Sequence, residues 1–82
     1  MFNILLVQEE MLILRENLRA ERKLNNITQE EVADNLGITA RQYRALEAGT
    51  SDGSLKVWQK LKYLFDKPID YLTEKTDFKG RD

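Results

Sequence analysis

The sequence predicts an all-α fold: five short helices packed as one compact domain, behind an apolar N-terminal extension. Three observations predict it. Only one proline (Pro68) and four glycines punctuate the 82 residues, so most of the chain is free to be helical. Apolar residues recur at helical spacing through much of it. Finally, Thr28, Thr39, Ser54 and Pro68 each stand where a helix can start.

The elements follow in order. Residues 17–24, "NLRAERKL", are good helix formers, with Leu14, Leu18 and Leu24 as apolar points. Asn25 and Asn26 end this helix, because asparagine tolerates left-handed backbone. Thr28 and Glu31 form a Thr-x-x-Glu capping box for the next helix, about 29–36. Its stripe is Val32, Ala33 and Leu36, and Gly37 stops it. Ile38 follows as an apolar turn residue, and Thr39 caps "ARQYRALEAG", which ends at Gly49. "TSDG" at 50–53 is a turn. Ser54 caps "LKVWQKLKYLFD", where Leu55, Trp58, Leu61, Leu64 and Phe65 recur at helical spacing. Pro68 opens the last helix, "IDYL", since a first turn tolerates its missing N–H. Trp58, Tyr43, Phe65 and Tyr71 are read as core, and residues from Glu74 onward are polar and expected to fray.

Composition narrows the function. The chain has no cysteine and no histidine. That removes disulfides, thiol nucleophiles and most zinc and acid–base chemistry, and no catalytic constellation can be assembled from what remains. The expectation is a non-enzymatic, cytoplasmic protein with no cofactor and no metal. "MFNILLVQEEMLIL" is too short and too interrupted to span a membrane, and it lacks the basic start of a signal peptide. With 13 basic and 14 acidic residues, net charge is −1, so any case for nucleic acid must rest on local arrangement.

That arrangement lies between Thr28 and Gly49. Glu30 and Glu31 sit in the first turn of their helix, where the dipole favours them, and with Asp34 they are expected to project away from any groove. On the following helix Tyr43 and Leu46 share one side. Ala40, Arg41, Arg44, Ala45 and Ala48 share the other: two arginines among small residues, with no acid near the centre of the face. Two short helices joined by a tight glycine turn describe a helix-turn-helix. An α-helix fits the major groove, and arginine can bond guanine O6 and N7 together.

"RAERKLNNITQEEVADNLGIT", "ALEAG" and "GSLKVWQKLKYLFDKPIDYL" resemble the phage repressor and Cro-like helix-turn-helix domains, the Xre family, over about residues 17–73. The resemblance implies a compact five-helix repressor-like domain whose second motif helix enters the DNA major groove. It implies that Gln29 bonds a phosphate and braces that helix, that Thr39, Ala40 and Arg41 face base edges and nearby backbone, and that Arg44 extends the surface. Thr50 and Ser51 would offer backbone N–H groups and hydroxyls to phosphate, and Arg22 and Glu47 match a partly buried salt bridge. The sequence departs from the family at Ala40, Ala48 and Thr50, where relatives are often polar or basic, and at Gly53, where proline is usual and a looser turn is expected. Lys56, Lys60 and Lys62 are a second candidate phosphate edge.

The chain then divides into an extension at 1–16, a DNA-binding domain at 17–73 and a polar tail at 74–82. The extension, "FNILLV" above all, is a strand or a helix, either covering its own domain or pairing with a second chain. Two function classes remain open. One is a sequence-specific regulator, a repressor binding a palindromic operator in double-stranded DNA as a homodimer. The other is an antitoxin or similar interaction module that masks a protein partner.

Overall fold

The structure is a computed structural model and describes residues 13–77. In chain order it holds strand β1 (Ile13–Leu14), helices α1 (Glu16–Leu24), α2 (Gln29–Leu36), α3 (Ala40–Ala48), α4 (Leu55–Phe65) and α5 (Ile69–Thr73), and strand β2 (Thr76–Asp77). The five expected helices are there, each within two residues of the boundary read from sequence.

The helix ends follow local chemistry. The Thr28 hydroxyl accepts from the Glu31 amide while the Glu31 carboxylate accepts from the Thr28 amide, so the capping box closes both ways. Thr39 and Gln42 repeat it at α3. Ser54 caps α4 by accepting from the Val57 amide. Asn26 takes the left-handed backbone expected of it, with φ 58°. Gly37 ends α2 at φ 74°, a conformation that a Cβ makes costly, and this sharp stop lets α3 turn back beside α2. Lys60 on α4, itself exposed, also donates to the Leu36 carbonyl at this corner and helps close the end of α2.

The core draws on every helix: Leu18 from α1, Val32, Ala33 and Leu36 from α2, Tyr43 and Leu46 from α3, Trp58, Leu61 and Phe65 from α4, and Leu72 from α5. Each such aliphatic or aromatic burial is worth about 1.5–3 kcal/mol. Leu24 and Leu55, read as apolar points, are instead 77% and 67% exposed, because they occupy helix ends that no neighbour covers. Tyr71 is half-buried, its hydroxyl donating to the buried Glu21.

Two departures lie at the ends of the domain. The residues after Glu74 do not fray throughout: Thr76–Asp77 pairs antiparallel with Ile13–Leu14, Ile13 opposite Asp77 and Leu14 opposite Thr76. Within the extension, Ile13 and Leu14 take the strand, while Glu16 already begins α1. The packed unit reaches past residues 17–73 on both sides. "FNILLV", and with it the pairing expected of that segment, lies outside the described residues.

Candidate nucleic-acid interface

The site is built on α3, whose two sides are treated differently. Inward, Tyr43 and Leu46 are buried in the core, and Glu47 is 4% exposed. A buried carboxylate is costly unless it is fully partnered. Glu47 is: Arg22 Nε donates to Oε2 at 2.5 Å, the Tyr43 hydroxyl donates to the same oxygen at 2.6 Å, and Gln29 Nε2 donates to Oε1 at 3.1 Å. Arg22 is held in turn by the Ile27 carbonyl at 2.9 Å. The bond to Glu47 raises the Arg22 pKa above its usual value. Burial first, and the same carboxylate second, push the Tyr43 phenol well above the usual tyrosine range. This cluster joins α1, α2 and α3 and fixes the rotation of α3. Gln29 thus braces the helix, one of the two roles expected of it.

Outward, Arg41 and Arg44 are exposed, with Gln42 exposed beside them. Sequence reasoning left out Gln42, although the Thr39-x-x-Gln42 spacing that repeats the capping box was visible. Thr39 is exposed at the head of α3, while Ala40 is half-buried against the core and presents only part of its surface.

Two expectations are corrected here. Glu30 does not project away from the basic face: its carboxylate lies 3.7 Å from Arg44, both side chains being more than half exposed. The α2–α3 turn folds the first turn of α2 beside the middle of α3, a proximity the helical wheel of either helix alone cannot show. Such an exposed pair contributes only about 0–1 kcal/mol. Secondly, the amides of Thr50 and Ser51 are not free for phosphate, because both donate to the Ala45 carbonyl, at 3.1 and 3.2 Å, and close the C-terminus of α3. What this loop presents is hydroxyl: that of exposed Thr50, which donates to the Ala45 carbonyl at a long 3.4 Å, and that of half-buried Ser51, which accepts from the Gly53 amide at 3.3 Å.

The loop is also tighter than glycine at position 53 suggested. Gly53 has φ 72°, and a Cβ there would stand 2.8 Å from both Leu46 Cδ2 and Trp58 Nε1. Trp58 Nε1 donates to the Asp52 carbonyl at 2.7 Å. Proline cannot adopt this φ, and alanine would collide with the core, so glycine is what lets the loop lie flat on Trp58.

Beneath the loop is a residue that sequence reasoning missed. Arg15, assigned to the extension, is 3% exposed. Its Nη1 donates to the carbonyls of Leu46 at 2.7 Å and Ser51 at 2.8 Å, and its Nε donates to that of Thr73 at 3.0 Å. Its own amide donates to the Glu47 carbonyl at 2.9 Å, and its guanidinium lies 5.0 Å from the centre of the Trp58 ring.

Two helices joined by a glycine-stopped turn, the second locked on its inner side and cationic on its outer side, define a helix-turn-helix of the DNA-binding class. The helix-turn-helix family model matches residues 18–72, and the chain belongs to that family, in its phage repressor and Cro-like (Xre) branch. It is similar to the uncharacterized HTH-type transcriptional regulator YqaE of Bacillus subtilis, 39% identical over 57 residues, covering 70% of this chain and 49% of YqaE. It is 35% identical over 57 residues to the HTH-type regulator MJ0272 of Methanocaldococcus jannaschii, covering 70% of this chain and 86% of that one. It is 38% identical over 61 residues to the cryptic phage CTXphi transcriptional repressor RstR of Vibrio cholerae, covering 74% of this chain and 52% of RstR. The chain thus spans about half the length of two of these relatives. No solved structure matches it. The family is one of transcriptional regulators, which act by binding. Among the described residues no helix is long and apolar enough to cross a membrane.

Proposed function

We propose that the protein is a sequence-specific DNA-binding repressor that occupies a palindromic operator as a homodimer. The observation that carries this is the exposure of Arg41 and Arg44 on one face of α3 while its opposite face is locked by the Glu47 cluster. A helix so held can enter a major groove without reorganising, and a bidentate arginine contact discriminates its base by about 1–3 kcal/mol. Thr39, Ala40 and Arg41 then face base edges and nearby backbone, Arg44 extends the contact, and the hydroxyls of Thr50 and Ser51 meet phosphate.

A single chain brings few cations to this face and one acid, Glu30, close by. Affinity per monomer is therefore modest and sensitive to salt. That favours two copies on half-sites one helical turn apart, about 34 Å. In this reading residues 1–12 supply contact between copies, the packed unit from Ile13 to Asp77 binds DNA, and the protein works in the cytoplasm. The relative RstR is named a repressor, which supports repression by occupancy.

The test is selection of bound duplexes from a random pool with the purified protein, repeated with Arg41→Ala and Arg44→Ala. The expected result is a palindromic consensus, with each variant relaxing preference at one or two positions per half-site. A uniform loss across all sequences would make the arginines phosphate contacts instead. Absence of any association at low ionic strength would end the proposal.

A further inference from the structure

The geometry points to Arg15 as a positioning residue for DNA binding: from beneath, it holds the loop at Thr50–Gly53 in place against the end of α3. This rests on the DNA-binding reading above. Arg15 stands outside residues 18–72, the part of the chain that the family model matches, so the loop is held by a residue the domain motif does not include.

The physical need is plain. The last carbonyls of α3 and α5 have no partners inside their own helices, and both helices present the negative ends of their dipoles there. Adding to the Gly49 amide that already donates to the Leu46 carbonyl at 3.2 Å, one guanidinium answers one carbonyl at each of these helix ends and one in the loop between α3 and α4. It bonds the Leu46 carbonyl in the last turn of α3, the Thr73 carbonyl at the end of α5, and the Ser51 carbonyl in the loop between α3 and α4. Arginine's donors form a rigid planar fork, so fixing two of these directions also fixes the third. Trp58 completes the clamp, with the guanidinium beside its ring and its indole N–H bonded to the Asp52 carbonyl. Asp52 itself is solvent-exposed and 4.0 Å from the guanidinium, so it adds little. The backbone of Arg15 follows directly from β1, whose pairing with β2 keeps the segment in register.

Arg15 is buried and touches no DNA in this account. Removing it leaves the exposed arginines of α3 in place and loosens the junction of α3, α5 and the loop that carries the Thr50 and Ser51 hydroxyls. That separates a positioning role from both a phosphate contact and a purely structural one.

The experiment uses the full chain and compares wild type with Arg15→Met and Arg15→Lys. Duplex affinity is measured against salt at a temperature where each protein is fully folded. Hydrogen exchange at residues 50–53 and the emission of Trp58, the single tryptophan, report on the loop. We expect Arg15→Met to bind about tenfold more weakly, the scale of one lost charge-class hydrogen bond, with unchanged salt slope and base preference. Loop amides should exchange faster and Trp58 emission should shift. If Arg15→Met does not fold, Arg15→Lys decides. It keeps the charge but cannot reach three carbonyls on three segments, and it should show the same changes, smaller. Unchanged affinity of the folded variants would overturn the inference and leave the DNA reading standing. A salt slope shallower by about one unit would also overturn it, by making Arg15 a phosphate contact. Failure of the wild type to bind any duplex would remove the reading and the inference together.

Discussion

On α3, Arg44 and Glu47 are three residues apart on one helix, yet their surroundings are opposite. Arg44 is half exposed, and its one ionic partner, Glu30, is itself in water. Glu47 is buried and accepts hydrogen bonds from Arg22, Tyr43 and Gln29. The outer side keeps its charges loosely partnered and available to a ligand, while the inner side has no spare polar group and sets the angle of the helix. A recognition helix needs both, because loosely held arginines discriminate only if the backbone beneath them does not move.

The largest way to break this contrast is Glu47→Ala. It strands the buried Tyr43 hydroxyl and takes the carboxylate partner from half-buried Arg22 and Gln29. We expect a loss of about 3–5 kcal/mol, read as a lower urea midpoint, with base preference intact wherever the protein remains folded. A loss below about 1 kcal/mol would mean the cluster does not set the packing.

Arg41→Ala should do the reverse. Stability should stay within about 0.5 kcal/mol, as for an exposed side chain, while discrimination at one base pair falls by about 1–3 kcal/mol. Equal damage to both would erase the distinction between the two sides.

Alkaline pH probes the inner side alone. The Tyr43 phenol is held protonated above the usual tyrosine range by burial and by Glu47. The unfolded chain releases that proton near pH 10, whereas the folded chain retains it. Stability is thus fully present below about pH 10 and falls above it by about 1.4 kcal/mol per pH unit. Followed by absorbance through the unfolding transition, Tyr43 should ionise only as the protein unfolds. Ionisation of Tyr43 while the protein remains folded would refute this.

Glu30→Gln is the mildest and sharpens the outer side. It removes the acid 3.7 Å from Arg44. Duplex affinity should rise about two- to fivefold at low salt, with the gain vanishing at high salt as screening sets in. A fall in affinity would mean that Glu30 orients Arg44 for contact.

Much of this was legible in the sequence because it is local. Thr28 and Glu31 sit three residues apart, and so do Thr39 and Gln42, which suffices for caps whose partners lie within one turn. Gly37 marks the stop of α2 for the same reason. The side of α3 that faces outward followed from helical periodicity, so Arg41 and Arg44 could be singled out. The Glu30–Arg44 contact could not, since it depends on how α2 and α3 cross. The amides of Thr50 and Ser51 looked free because the way a helix end closes depends on the path of the loop beyond it.

The sequence by itself determined five helices, their caps, the turn between α2 and α3 and the cationic stripe on α3, all interactions that span a few residues. Tertiary structure alone decided that Arg15 is buried, that Thr76–Asp77 pairs with Ile13–Leu14, and that Ser51 and Thr73 share one guanidinium. Those contacts join residues 31 to 58 positions apart where separate hydrogen bonds are counted for Arg15. No periodicity or capping rule reaches that far, because it is the packing of α3, α4 and α5 around Trp58 that makes a place for one arginine and leaves carbonyls for it to satisfy.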